Sequence, residues 1–129
     1  MTRILAFLTL FLLICRSEMS PNSSTLCDKV YWDFATCLRY LAGYESDPIP
    51  YCCKSIAELS SEAMQYAEAE AICQCIETLA MGADIRFDIS RVEDLPEKCH
   101  TPVTFPISNY MNCSKIQFSK GINRWVVLD

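Results

Sequence analysis

Ile72-Cys73-Gln74-Cys75-Ile76 decides how the rest of the chain is read. These residues sit inside a run, Glu62 to Ala80, that is rich in Ala and Glu and holds no Gly or Pro. Apolar residues recur there at Tyr66, Ala69, Ile72/Cys73, Ile76 and Leu79/Ala80, a spacing that predicts a helix ending near Met81-Gly82. Residues two apart on a helix point about 200° from one another. Cys73 and Cys75 therefore face opposite sides, and this central helix can anchor two different pieces of chain.

Upstream, Cys27, Val30/Tyr31, Phe34, Cys37/Leu38 and Leu41 follow a helical stripe that Gly43 can terminate, predicting a first helix from Leu26 to Leu41. With both cysteines on that helix, Cys27 and Cys37 lie about 15 Å apart. A disulfide spans at most ~7 Å between Cα atoms, so the two do not pair with each other. Tyr44 to Tyr51, with Pro48 and Pro50, reads as a loop. A second helix is predicted from Cys52 to about Ser60, with Cys53, Ile56 and Leu59 on its apolar face. Adjacent Cys52 and Cys53 diverge there by about 100° and reach in different directions. Ser60-Ser61 can cap the central helix. Ser90-Arg91-Val92-Glu93 has capping-box spacing, predicting a fourth helix from about Ser90 to Cys99. From His100 onward, Pro102 and Pro106 break the backbone while Val103, Phe105, Ile107, Tyr110 and Met111 keep it apolar. The expectation is an extended tail over the mouth of a helical bundle.

The N-terminus reads as a targeting segment. Arg3 precedes a nearly continuous apolar stretch, Ile4 to Ile14, and Cys15 and Ser17 supply small residues before a cut at about 17–20. That stretch is too short to span a bilayer, which takes ~20 residues. The expected organisation is a signal peptide over 1–20, one domain over 21–114 and a C-terminal extension over 115–129. Cleavage after Ser17 leaves 112 residues and removes one of the nine cysteines, and the remaining even count suits disulfides in an oxidising compartment. Losing Arg3 and Arg16 leaves 9 basic residues against 16 acidic ones, a net charge of −7. Such a balance argues against nucleic acid and against adsorption to anionic membrane. No second apolar run could make a transmembrane span, and Trp125 to Leu128 is too short for a lipid-anchor signal. Asn22 and Asn112 each begin a glycosylation sequon.

The remaining cysteines fall in the order Cys27, Cys37, Cys52-Cys53, Cys73-x-Cys75, Cys99, Cys113, with 9, 14, 19, 23 and 13 residues between them. This pattern resembles the eight-cysteine motif of plant non-specific lipid-transfer proteins, with type 1-like spacing. Cys37-Leu-Arg-Tyr-Leu-Ala-Gly43 is similar to the family's C-x-P-Y-L-x-G, and Leu95-Pro-Glu-Lys-Cys99 to its L/I-P-x-K-C. Helix geometry excludes Cys27–Cys37, Cys52–Cys53 and Cys73–Cys75 and leaves the other pairings open. The resemblance implies Cys27–Cys75, Cys37–Cys52, Cys53–Cys99 and Cys73–Cys113. A type 2 arrangement would instead join Cys27–Cys73 and Cys75–Cys113. The family tracks that choice with the residue between the central cysteines, and polar Gln74 goes with type 1. The implied fold is all-α, a four-helix, disulfide-stapled bundle whose C-terminal tail helps to enclose an apolar tunnel.

An empty apolar cavity costs ~24 cal/mol per Å³, and four bridges at ~2–4 kcal/mol each can offset a hollow centre. The candidate lipid-binding residues are Val30, Phe34, Leu38, Leu41, Ile56, Leu59, Ile72, Ile76, Leu79, Val92, Leu95, Val103, Phe105 and Ile107. The implied function is a secreted, extracellular or apoplastic carrier, expected to be a monomer. It takes up fatty acids, phospholipids or other acyl lipids without catalysis, cofactor or metal. The rival is a protein-interaction module, an inhibitor or recognition ligand, on the same scaffold.

The chain departs from the family at the polar end of the tunnel. Where the family has T/S-x-x-D-R/K, Glu68 keeps the acid and Ala69 replaces the base. Phe105 stands in place of the tyrosine of P-Y-x-I-S, and Ala57 in place of a basic residue after the double cysteine. Weak headgroup discrimination is therefore expected, unless Arg39, Lys115 or Arg124 supplies the charge. His100, the single histidine, follows Cys99 directly, which gives catalysis little support.

Overall fold

The structure, a computed structural model, describes residues 1–14, 21–109 and 111–128; Cys15, the expected cleavage window at 17–20 and Tyr110 lie outside the described residues. In chain order its elements are α1 (Thr2–Ile14), α2 (Pro21–Ala35), α3 (Leu38–Leu41), α4 (Pro50–Glu62), α5 (Tyr66–Gly82), α6 (Ile89–Cys99), a single 3₁₀ turn (Cys113–Lys115), β1 (Ile116–Ser119) and β2 (Arg124–Val127). The fold is an all-α bundle carrying one small hairpin. Among the described residues no helix is long and apolar enough to cross a membrane. Apolar side chains of α1 such as Ile4, Phe7 and Phe11 stay exposed and lie outside the core.

The first helix of the bundle is two helices where one was expected. Cys37 N–H donates to the Phe34 carbonyl (2.9 Å) and Thr36 Oγ1 donates to the Asp33 carbonyl (2.7 Å). This tight turn ends α2 at Ala35 and lets α3 restart at Leu38. α4 begins with Pro50 in its first turn, where a missing N–H costs nothing. It runs through Ser60-Ser61, so Ser60 does not cap the central helix; it is buried inside α4 and holds Thr104 instead. α6 is capped by Asp88 and not by the Ser90 box. The Asp88 carboxylate accepts from Ser90 N–H (3.0 Å) and from Ser90 Oγ (2.7 Å).

Four disulfides fasten these elements. Cys27–Cys75 joins α2 to α5, Cys37–Cys52 joins the turn before α3 to α4, Cys53–Cys99 joins α4 to α6, and Cys73–Cys113 joins α5 to the 3₁₀ turn. Their Cα–Cα distances, 4.8 to 5.7 Å, are ordinary for a disulfide. Phe34, Leu41, Ile56, Leu59, Ile72 and Ile76 fill the space between the helices.

Past residue 112 the chain departs from the expected extended tail. β1 and β2 pair antiparallel, with Phe118 opposite Trp125 and Ser119 opposite Arg124. The turn at 120–123 closes with Asn123 at φ 53°, a left-handed position that asparagine accepts readily. Across the strands the Phe118 and Trp125 rings meet at 5.3 Å between centroids, a cross-strand aromatic pair of the kind that stabilises hairpins.

Candidate lipid-binding groove

A groove of about 260 Å³ with a mixed apolar and polar lining lies between α6, the irregular segment 103–108 and strand β2. α6 contributes Ile89, Val92 and Glu93; the segment contributes Val103, Phe105 and Ile107; β2 contributes Arg124 and Trp125 to Val127. Each wall is fixed by specific bonds. Thr104 Oγ1 donates to the Ser60 carbonyl (2.8 Å), securing the segment to the end of α4. At its other end Asn109 brackets Phe87: Phe87 N–H donates to Asn109 Oδ1 (2.6 Å) and Asn109 Nδ2 donates to the Phe87 carbonyl (2.8 Å). Trp125 N–H donates to the Thr104 carbonyl (2.7 Å), and its indole Nε1–H donates to the Ala63 carbonyl (2.8 Å). The hairpin is therefore held against both the segment and α4.

The predicted lining residues separate into two groups. Val92, Val103, Phe105 and Ile107 come together around the groove. Val30, Phe34, Leu41, Ile56, Leu59, Ile72, Ile76 and Leu95 retain no accessible surface. A side chain beside a hollow wide enough for a methylene chain would keep some, so these eight pack against one another in this conformation. Leu38 and Leu79 are half-buried against the same core. Phe105 joins the two groups, meeting Phe34 edge to face at 6.4 Å. Ile89, Trp125, Val126 and Val127 were missed by the sequence reading, which named Arg124 only as one alternative source of charge; the one signal for the hairpin was the β-prone run Trp125-Val126-Val127. A second depression of about 240 Å³ opens beside the first, lined by Ala80, Met81, Ile85, Phe87 and Met111, with Ser108 common to both.

The charges around this end are distributed unevenly. Ala69 is fully buried and Ala57 is exposed on α4. Arg39 pairs with Glu45 at 2.7 Å, away from the groove, and Lys115 borders a separate shallow depression with Asn112 and Leu128. Arg124 borders the groove itself. Elsewhere, Lys98 Nζ donates to Asp47 Oδ1 (2.5 Å) and to the Ser46 carbonyl (3.2 Å), clasping the α3–α4 loop to α6. That bond holds the Asp47 carboxyl below its ordinary range and pushes the Lys98 ammonium above its own. Arg91 donates to the Glu45 carbonyl and lies 5.1 Å over the Tyr40 ring, whose buried hydroxyl is pushed up by loss of water. Among the described residues, no group of three or more His, Cys, Asp or Glu is arranged to hold a metal ion.

Residues 15–115 match the protease inhibitor/seed storage/LTP family. The chain is similar to non-specific lipid-transfer protein 3 of Oryza sativa subsp. indica, at 29% identity over 116 residues covering 88% of this chain and 95% of that protein. It is also similar to non-specific lipid-transfer protein 13 of Arabidopsis thaliana, at 33% identity over 91 residues covering 70% and 72%. Among solved structures, non-specific lipid transfer protein 1 from barley in complex with lysophosphatidylcholine superposes with a TM-score of 0.58. That match has 27% identity and covers 70% of this chain and 98% of the barley one.

Proposed function

Because the chain belongs to the protease inhibitor/seed storage/LTP family, as a divergent member of its lipid-transfer proteins, we propose that it is a secreted carrier of acyl lipids. It shields the hydrocarbon chain from water and performs no covalent chemistry. The observation that carries this reading is the convergence of Val92, Val103, Phe105 and Ile107 on one groove. Each methylene drawn from water into such a groove contributes ~0.8 kcal/mol. At about 260 Å³ the groove is at the small end for ligand sites and suits one chain better than two. A longer chain continues inward past Phe105, whose ring separates the groove from Phe34 and the packed centre. The internal tunnel is then a space that the lipid opens and fills. Residues 1–20 serve secretion, 21–114 form the carrier domain and 115–129 extend it.

Displacement of a fluorescent fatty-acid probe from the disulfide-intact secreted protein tests this. Natural single-chain lipids are expected to compete in the micromolar range or tighter. If no acyl lipid binds, the carrier reading fails and the scaffold is better read as a protein-interaction module.

A further inference from the structure

The hairpin lies outside the family match, which stops at residue 115, while β1 and β2 span 116–127. It extends the matched domain and forms one wall of the groove through Arg124, Trp125, Val126 and Val127. Of the residues bordering the groove, Arg124 carries the one positive charge and Glu93 the one negative charge. Among the described residues no carboxylate lies within ion-pairing distance of Arg124. Its position is not accidental. Arg124 opens β2 immediately before Trp125, the residue bonded through its backbone to Thr104 and through its indole to Ala63. The backbone of Arg124 is thereby fixed beside the groove wall that Phe105 and Ile107 continue, and its exposed side chain borders the groove.

Resting on the carrier reading above, we propose that the hairpin is part of the binding site and that Arg124 pairs with the carboxylate of a single-chain fatty acid. The acyl chain lies along Val92, Val103, Phe105 and Ile107, and Arg124 replaces the charge that Ala57 and Ala69 cannot supply. Glu93, the groove's one negative charge, repels any anionic head and leaves the Arg124 end of the groove as the favourable place for the carboxylate. Arg39 is engaged by Glu45 and Lys115 lies outside the groove, so neither performs this role.

The test compares laurate, dodecanol and lauroyl-lysophosphatidylcholine as competitors against the fluorescent probe, using the disulfide-intact secreted chain and its Arg124→Gln, Arg124→Lys and Lys115→Gln variants. The unmutated protein should prefer laurate to dodecanol by roughly fivefold to tenfold, the low end for a charge-assisted hydrogen bond because Arg124 is exposed. Arg124→Gln should remove that preference and leave dodecanol unchanged; Arg124→Lys should keep most of it, and Lys115→Gln all of it. Added salt should erode the preference in the unmutated protein, Arg124→Lys and Lys115→Gln, and have no preference left to erode in Arg124→Gln. Equal binding of laurate and dodecanol, with no change in Arg124→Gln, overturns the role of Arg124 and leaves the carrier reading standing. A loss confined to lysophosphatidylcholine overturns the carboxylate assignment. Failure of all three competitors in the unmutated protein overturns the carrier reading and this proposal with it.

Discussion

Replacing Phe34 with Ala measures whether the middle of the bundle is filled or hollow. Phe34 has no accessible surface and meets Phe87 and Phe105 edge to face at 6.1 and 6.4 Å. Truncating a ring packed on all sides removes its transfer free energy and leaves a cavity, costing about 3–5 kcal/mol. A ring already facing a void would lose closer to ~1.5 kcal/mol, because part of its surface had no partner to lose. Guanidinium unfolding with the disulfides intact separates the two cases. With a slope of about 3 kcal/mol per molar, the packed case shifts the midpoint down by roughly 1 M or more. A shift of about 0.5 M or less would refute the packed interior argued from the buried residues. The same variant opens space directly behind Phe105, so it should also bind longer acyl chains more tightly than the unmutated protein does.

Digestion of the unreduced protein should release linked peptides for Cys27–Cys75 and Cys73–Cys113, from a mature product lacking Cys15; finding Cys27–Cys73 and Cys75–Cys113 would contradict the bridges described above. Full reduction should abolish probe binding together with most helical signal, since a core this small relies on its cross-links; binding that survives reduction would point to an external patch. The Asp47–Lys98 clasp sets a third expectation. Asp47 titrates below its ordinary range in the fold, so its contribution is complete above the ordinary carboxylate pKa and is lost as pH falls through the lowered value. Lys98 titrates above its ordinary range, so its share holds below the ordinary lysine pKa and is lost as pH rises through the raised value. NMR titration should find the Asp47 carboxyl below its ordinary range and moved upward by Lys98→Gln; an unshifted carboxyl would remove the clasp.

The chain announces its helices through cysteine order and apolar stripes, because both report which face of each helix is covered. What it concealed was local hydrogen-bond competition. Ser90 and Glu93 have capping-box spacing, but Asp88, two residues earlier, offers a carboxylate that takes both the Ser90 N–H and its hydroxyl. Ser60 looked like a cap for the next helix, but a buried hydroxyl on α4 is better used by Thr104. The turn at Thr36-Cys37 has no Gly or Pro to mark it, so a continuous stripe concealed two helices. The site was half legible for a related reason. Val92, Val103, Phe105 and Ile107 sit in stretches whose apolar pattern exceeds what one element can bury. Arg124 and Trp125 depend on a long-range pairing of the hairpin with Thr104 and Ala63, which no local window records.

The four bridges also determine how the chain responds to being cut. Their spans, 27–75, 37–52, 53–99 and 73–113, overlap so that every peptide bond between Cys27 and Cys113 lies inside at least one covalent ring. A protease that nicks the α3–α4 loop, the α5–α6 loop or the segment before Cys113 therefore releases nothing. The two pieces stay joined, and the helices lose one connection without losing their neighbours. Residues after Cys113 have no such insurance. One cut at Ser114 or Lys115 frees the hairpin, and Arg124 with it, leaving the stapled bundle in one piece.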